Sequence, residues 1–537
     1  MKRKQLAAGV ILSLAIISGL SGCQSSAGTA ASEVSGQTAG AGETKTVSQQ
    51  DESGEITPVE ITYDENDKNE AWSEEGSTLI TCSGTSVSVQ GAGVSESEGT
   101  VTITAAGTYI ISGTLSDGRI IIDAGSEDVV HLVLNKASIT SSEGAAIWGK
   151  QSGKLVITLA EGTENSVADG SSYSEQDEDG EPDAAIFSKD DITINGAGTL
   201  GIKGNYKNGI HGKDGVKVVG GTLNIDAVNH AVSGKDYVAV SGGTLKLSSG
   251  EDAVHSAADV WITDGDITID AGDDGIHGDG VVTIDGGTVQ IENSTEGIEG
   301  TVITINNGEI SLTASDDGLN GADGTSDKSD DTAAGGFGMG MGGGMDAAQE
   351  NVFVEINGGK LYVNAEGDGI DSNGSLSVTG GEITVDGPER GGNGIIDYNG
   401  TAEITGGTII AAGTSDMAQT FSENSGQYSL LYIYNEAQSK GTELSLKDSS
   451  GNTVASFTPS KEYAAVIISV PKMTKGETYT LYSGSTKVEN ITLDAVNTTA
   501  GAEIGQAGPG GMSGGMGERG MPGGQMPEGQ TGEKRPF

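Results

Sequence analysis

The sequence predicts an all-β chain folded as a right-handed parallel β-helix, a solenoid of about 22 residues per coil with β caps at both ends. Three observations predict it. Aliphatic residues recur at near-constant spacing: Ile210, Val232, Val254, Ile276, Ile298 and Leu319 lie 22, 22, 22, 22 and 21 residues apart. Two further columns keep step with them. One runs through Val218, Val240, Ile262, Ile284, Ile305, Ile356, Val378 and Ile404, the other through Leu223, Leu245, Ile267, Val289, Ile310, Leu361, Ile383 and Ile409. Between these two columns stands a glycine corner, as in Gly220-Gly221, Gly242-Gly243 and Gly286-Gly287. Alternation of apolar residues within the third column (Leu223 and Ile225, Leu245 and Leu247) has the period of strands. Short strands, corner glycines and aligned aliphatics describe one coil of a solenoid that buries its interior against its neighbours. A chain with 89 glycines and 34% hydrophobic residues can build a core this way, since each coil covers the next.

The elements follow in chain order. Residues 1–22 read as a lipoprotein signal peptide: Lys2, Arg3 and Lys4 precede an apolar run, Leu6–Leu20, too short to span a bilayer comfortably. The run ends in Leu20-Ser21-Gly22-Cys23, which resembles a lipobox and implies acylation of Cys23 and a lipid anchor on the outer face of the cell membrane. Residues 23–55, rich in Ser, Gly and Ala, read as a flexible tether. Residues 56–145 hold the first strands and a cap, with Val101, Ile103, Tyr109, Ile111, Ile120 and Ile122 as apolar anchors. The parallel β-helix occupies 146–415, where the first column begins at Ile147 and Ile186 and resumes at Ile370 and Ile395 after a Gly/Met-rich insertion at 322–350. Residues 416–495 lose the period but keep strand patterns and read as a C-terminal β cap or small β domain. Residues 496–537 are a Gly/Met/Pro-rich tail with the composition of a disordered segment. If Cys23 is acylated, Cys82 has no disulfide partner, and it is expected as a buried thiol in a strand.

Charge narrows the function. With 77 acidic against 28 basic residues the net charge is −49, which excludes nucleic acid as a partner. The acids are not scattered. Two residues before the first column lie Asn208, His230, Asp252, Asp274, Glu296, Asp317, Asp368 and Asn393, with Asp273 and Asp316 one position earlier. One residue after the column come His211, Ser233, His255, His277, Glu299, Asn320 and Asp371. Carboxylates stacked one coil apart repel, by roughly 1–3 kcal/mol per pair at the effective dielectric of a protein surface. Hard cations between them relieve this, and calcium accepts six to eight oxygens in flexible geometry. Calcium is therefore the expected cofactor, on Asp252, Asp273, Asp274, Glu296, Asp316, Asp317, Asp368 and Asp371. His211 and His255 are two coils apart with Ser233 between, and the oxygen-rich setting favours calcium over zinc, so the histidines are expected in structural or sugar-contacting roles.

The segments Gly107–Leu115, Asp117-Gly118, Val133–Asn135, Ile157–Asn165 and Ile186–Gly196, and the coils after them, resemble the calcium-associated carbohydrate-binding β-helix proteins of Gram-positive bacteria, known from clostridial cellulose- and pectin-binding surface proteins. The resemblance runs from about Ile61 to Ser483 and implies a pectate-lyase-like fold and binding of plant-type polysaccharide, cellulose or polygalacturonate. Flat side chains at outward positions are the expected carbohydrate contacts: Trp148, Phe187, His211, His255, His277 and, on another side, Trp261. The expected molecule is thus a lipid-anchored, monomeric surface protein that binds a glycan. A polysaccharide lyase acting on uronic-acid glycans is the first alternative. Such a lyase needs a basic group beside the bound uronate, and of Arg119 and Arg390 in the body only Arg390 stands near the acidic column. A surface adhesin or structural protein without a glycan ligand is the second alternative.

Overall fold

The computed structural model describes residues 61–323 and 347–503. The signal peptide, Cys23, the tether, the methionine-rich part of the insertion and residues 504–537 of the Gly/Met/Pro tail lie outside the described residues, whereas the start of that tail, expected to lack structure, forms the strand Asn497–Gly501. The described chain is nearly all strand, a β-solenoid of parallel coils. Each coil contributes to three strand faces. The first face carries the residues around Ile147, Ile186, Ile210, Val232, Val254, Ile276, Ile298, Leu319 and Ile370, each paired in parallel with the next. On the second face Val218, Val240, Ile262, Ile284, Ile305, Ile356, Val378 and Ile404 pair in one line. On the third, Leu223 to Ile409 do the same. All three predicted columns are buried and form one continuous core.

The corner between the second and third faces shows why glycine recurs there. Gly243 and Gly287 have φ of +93° and +84°, in the left-handed region that L side chains avoid. A Cβ on either would stand 2.8 Å from the carbonyl oxygen of the glycine one coil below, Gly221 or Gly265. Both the turn and the stacking demand that no side chain be present.

Parallel pairing begins earlier than the 22-residue period does. Thr78–Gly84 already pairs with Gly107–Leu115, and that strand with Val129–Thr140. These coils carry loops of unequal length, so no constant spacing marks them. Cys82 is buried in this first coil, and burial raises its thiol above the usual range. Two antiparallel pairings, Thr78–Gly84 with Ser86–Gln90 and Val94–Ser97 with Thr100–Ile103, lie at this end. At the other end the last coil strand, Thr408–Gly413, pairs antiparallel with Tyr463–Ser469, which continues through Ser429–Gln438 to Asn497–Gly501. A separate four-stranded sheet built from residues 444–492 packs on this one around Tyr432, Tyr434, Tyr463, Leu446 and Leu481. The cap thereby covers an edge that would otherwise offer free ladder groups.

The N-terminal segment lies across the second face. Its short helix, Glu65–Lys68, is closed by a capping box in which Asp64 accepts from the Asp67 amide and Asp67 from the Asp64 amide. Asp67 is fully buried between Lys154 (2.9 Å) and Lys217 (3.2 Å), and accepts the Thr193 hydroxyl. Ile61 and Tyr63 pack on Tyr237 and Trp261, coils further along.

Candidate functional site

The first face carries the chemistry. In each coil the residue two places before the column residue stands at or just before the start of the strand, and the one directly after it lies within the strand, as His255 does in Val254–Ser256. Stacking then repeats the two positions from coil to coil. The former position forms rungs: Asn208 Oδ1 accepts the His230 amide (3.2 Å), Asp252 Oδ1 the Asp274 amide (3.1 Å) and Asp317 Oδ1 the Asp368 amide (2.6 Å). Asp368 likewise accepts the Gly394 amide. One carboxylate oxygen thus satisfies the backbone of the next coil, and the other is left for side-chain chemistry.

That second oxygen meets its neighbours in a series of overlapping three-ligand groups. They are His230, Asp252 and His255; Asp252, Asp274 and His277; Asp274, Glu296 and Glu299; and Asp368, Asp371 and Asp397, with ligand atoms within 4.8 Å of one another in each group. The rule is the same in the first three: one residue from a coil and two from the next. Asp252 and Asp274 each serve two groups.

Crowding of buried carboxylates suppresses their ionisation. Burial, then Glu299 and the other acids, push Asp274 up to about 7 and Glu296 up to about 9. Burial and the neighbouring Asp368 push Asp317 to about 7, and burial with the surrounding acids pushes Asp368 to about 6 and Asp371 to about 8. His277 answers this charge. Its Nδ1 lies 2.9 Å from Asp274 and 3.1 Å from Glu299, its Nε2 3.2 Å from Asp279. Burial opposes its protonation, but these carboxylates outweigh it and hold the imidazolium well above the usual histidine range. Glu299, despite its burial, is held low by His277. His230 goes the other way: burial and the adjacent His255 bring it down to about 4.

The expected metal ligands divide. Asp252, Asp274, Glu296, Asp368 and Asp371 belong to these groups, and Asp317 forms a rung between them. Asp273 and Asp316, in contrast, are exposed and outside the groups. Both lie in the bend that precedes the strand. His230, Glu299 and Asp397 complete the groups and were not among the expected ligands. Asp397 was hidden by register. The sequence pattern places Ile395 in the first column, whereas Ile370 pairs with Ile396. The irregular stretch before it, ending at Gly394, shifts the coil by one residue, and Ile395 and Ile396 are both buried, so hydrophobicity alone does not choose between them.

The expected carbohydrate contacts divide as well. Trp148 and Phe187 do leave the strand outward, but both are buried with Ile121, Ala145 and Ala184 against Tyr173. Tyr173 belongs to the acidic insertion, stacks on Tyr206 at 4.4 Å and bonds Asp169 and the Ala184 carbonyl. These two aromatics are therefore a satellite core and not a sugar platform. Trp261 sits beside the N-terminal segment, donating to Asp285 at 2.7 Å, away from the acidic row. His211, His255 and His277 do line the first face, each against a carboxylate: Asp183 at 2.6 Å, Asp252 at 2.9 Å and Asp274 at 2.9 Å. Arg390 is exposed in the irregular stretch that leads to Gly394.

Among the described residues, no helix is long and apolar enough to cross a membrane. Residues 97–329 match the family model described as carbohydrate-binding domain-containing protein. A carbohydrate-binding domain-containing protein of Acetivibrio thermocellus is 41% identical over 136 residues, 25% of this chain and 48% of that protein, so the chain spans about half the length of this relative. A solved polysaccharide lyase-like protein from C. thermocellum, a gadolinium derivative, is 32% identical, with a TM-score of 0.37, over 46% of this chain and 98% of that one. Over residues 97–329, which include the first three ligand groups, the chain matches the carbohydrate-binding domain-containing family.

Proposed function

We propose that the chain is a surface carbohydrate-binding protein whose first face binds plant-type polysaccharide, polygalacturonate foremost, through calcium held by the acidic row. The observation that carries this reading is the sharing of carboxylates between consecutive ligand groups. Acids packed this closely take up protons near neutrality unless a cation joins them. The oxygen-only groups, Asp274 with Glu296 and Glu299, and Asp368 with Asp371 and Asp397, suit calcium, a hard ion that takes carboxylates in flexible geometry. Calcium so held keeps coordination positions for a uronate carboxylate, and repetition along the face matches the repetition of a polymer. His255 and His277, whose rings lie 5.3 Å apart on this face, would border such a chain. The family match over this stretch supports a carbohydrate as the ligand. A lipid on Cys23 would hold the molecule at the membrane's outer face.

The test is depletion of the full chain from solution by insoluble polygalacturonate and by cellulose, with calcium and with chelator, while the supernatant is assayed for unsaturated or reducing-end products. Calcium-dependent depletion by polygalacturonate without product is the expected result. Product formation would replace binding by lyase action and turn attention to Arg390. No depletion by either polymer would overturn the glycan reading in favour of an adhesive or structural role.

A further inference from the structure

The ligand groups of the first face do not share one chemistry. Toward its C-terminal end the row offers only carboxylate oxygens, whereas the group His230, Asp252, His255 offers two imidazole nitrogens and one oxygen. We propose that this group is a site for a borderline transition cation of the zinc class, distinct from the oxygen-only groups that follow it.

Four observations support it. First, the spacing fits. Asp252 Oδ2 lies 2.9 Å from His255 Nδ1 and 3.4 Å from His230 Nδ1. Tetrahedral zinc, with bonds of about 2.0–2.2 Å to nitrogen and oxygen, sets its ligand atoms about 3.3–3.6 Å apart, so the His230 contact already matches and the His255 hydrogen bond has only to open by about half an ångström. Second, His230 Nδ1 is buried without a hydrogen-bond partner, so a polar atom facing Asp252 is left unsatisfied. Buried polar atoms normally find partners, and this one, beside a carboxylate and a second imidazole, is free to take a cation. Third, a carboxylate stands behind His230. Its Nε2 lies 3.6 Å from Glu251, and Asn229 donates to the same Glu251 oxygen at 3.0 Å. A carboxylate behind a ligating histidine is the usual support of such ligands. Fourth, the imidazoles of His230 and His255 stack at 4.3 Å and 11°, which holds the two rings side by side next to Asp252. His277 provides the contrast: three carboxylates surround it, so both of its ring nitrogens already have partners.

Nearly parallel rings share no plane, so His230 must turn about its Cβ–Cγ bond to aim Nδ1 at the ion. Its position at the edge of the strand, before Val232–Gly234, leaves that rotation free of the ladder. Imidazole nitrogen prefers zinc, nickel or copper to calcium, so selectivity follows from ligand type alone. Asp252 also belongs to the next group, with Asp274 and His277, and so links this site to the rest of the row.

The experiment is equilibrium dialysis of the chelator-stripped full chain against Zn²⁺ in a large excess of Ca²⁺, with Co²⁺ as a visible-spectrum probe of nitrogen coordination. One zinc equivalent should survive the calcium excess, and cobalt should give a d–d band. His230→Gln, which keeps a polar side chain of similar reach, and His255→Ala should each weaken zinc binding by about tenfold or more. Glu296→Gln should leave zinc binding unchanged, with thermal melts confirming that each variant folds. Displacement of all zinc by calcium, or equal zinc retention in His230→Gln, would overturn the proposal.

Discussion

At the scale of single residues, the molecule places charge where it is expensive and then compensates it. Asp67 is buried, yet its carboxyl is held below the usual range: burial would raise it, but the Thr193 hydroxyl and Lys154 and Lys217 outweigh that. Removing one partner of a buried pair leaves the others uncompensated, so Asp67→Ala should cost about 3 kcal/mol in denaturant unfolding. A carboxyl with a depressed folded value contributes stability that is complete above its unfolded value, about 3.9. That part is lost as pH falls through the folded value, so Asp67→Ala and the native chain should converge in stability in strong acid. His277 has the opposite sign. Its folded value is raised, so its contribution is complete below about 6.5 and is lost as pH rises through the folded value. A histidine NMR titration should find His277 still protonated when other imidazoles have lost their protons; loss of its proton near neutrality would contradict the carboxylate cage. The sequence exposed the columns to which Asp252, Asp274 and Asp371 belong, because each has a fixed offset from an aliphatic residue. It did not expose Asp67, since the segment that carries it belongs to no repeat and finds its partners only across the second face.

At the scale of elements, the coil is defined as much by its missing side chains as by its apolar ones. Gly287 combines positive φ with a carbonyl 2.8 Å from where its Cβ would be. Left-handed backbone costs an L residue about 1–2 kcal/mol before any clash. Gly287→Ala should therefore lower stability by at least about that amount, while Gly162→Ala, also at positive φ but in open space, should pay only the backbone part. Equal losses in the two variants, read from urea midpoints, would show that stacking adds nothing at the corner. This corner was legible in the sequence because glycine recurs in step with the strands around it. The early coils were not, since loops of unequal length separate Thr78–Gly84, Gly107–Leu115 and Val129–Thr140, and only pairing reveals them. The acidic insertion shows a different limit. Alternation correctly sends Trp148 and Phe187 outward, but periodicity within a strand says nothing about a loop that folds back over it, as Tyr173 does.

At the scale of the whole molecule, a net charge of −49 makes stability a question of cations. Asp274, Glu296, Asp317, Asp368 and Asp371 all titrate higher in the folded chain than free carboxyls do. The folded state then binds more protons than the unfolded one between about pH 4 and the folded values, and stability must fall with rising pH across that interval. Metal-stripped protein should accordingly melt at progressively lower temperature from about pH 4 toward pH 9, the highest folded value in the row. A cation that binds only the folded row adds stability as its concentration exceeds its dissociation constant. Calcium should therefore matter little in acid, where the carboxyls are protonated, and most above neutrality, where it replaces their protons. Melting curves across this range, with calcium and with chelator, should diverge as pH rises. Curves that stay parallel would mean that the row is stabilised by its histidines and rungs alone, and that its acids serve a ligand rather than the fold. Because the first three groups share Asp252 and Asp274 between consecutive coils, a cation at one group would fix a carboxylate of the next, and stiffness and ligand presentation would then be properties of the same stack.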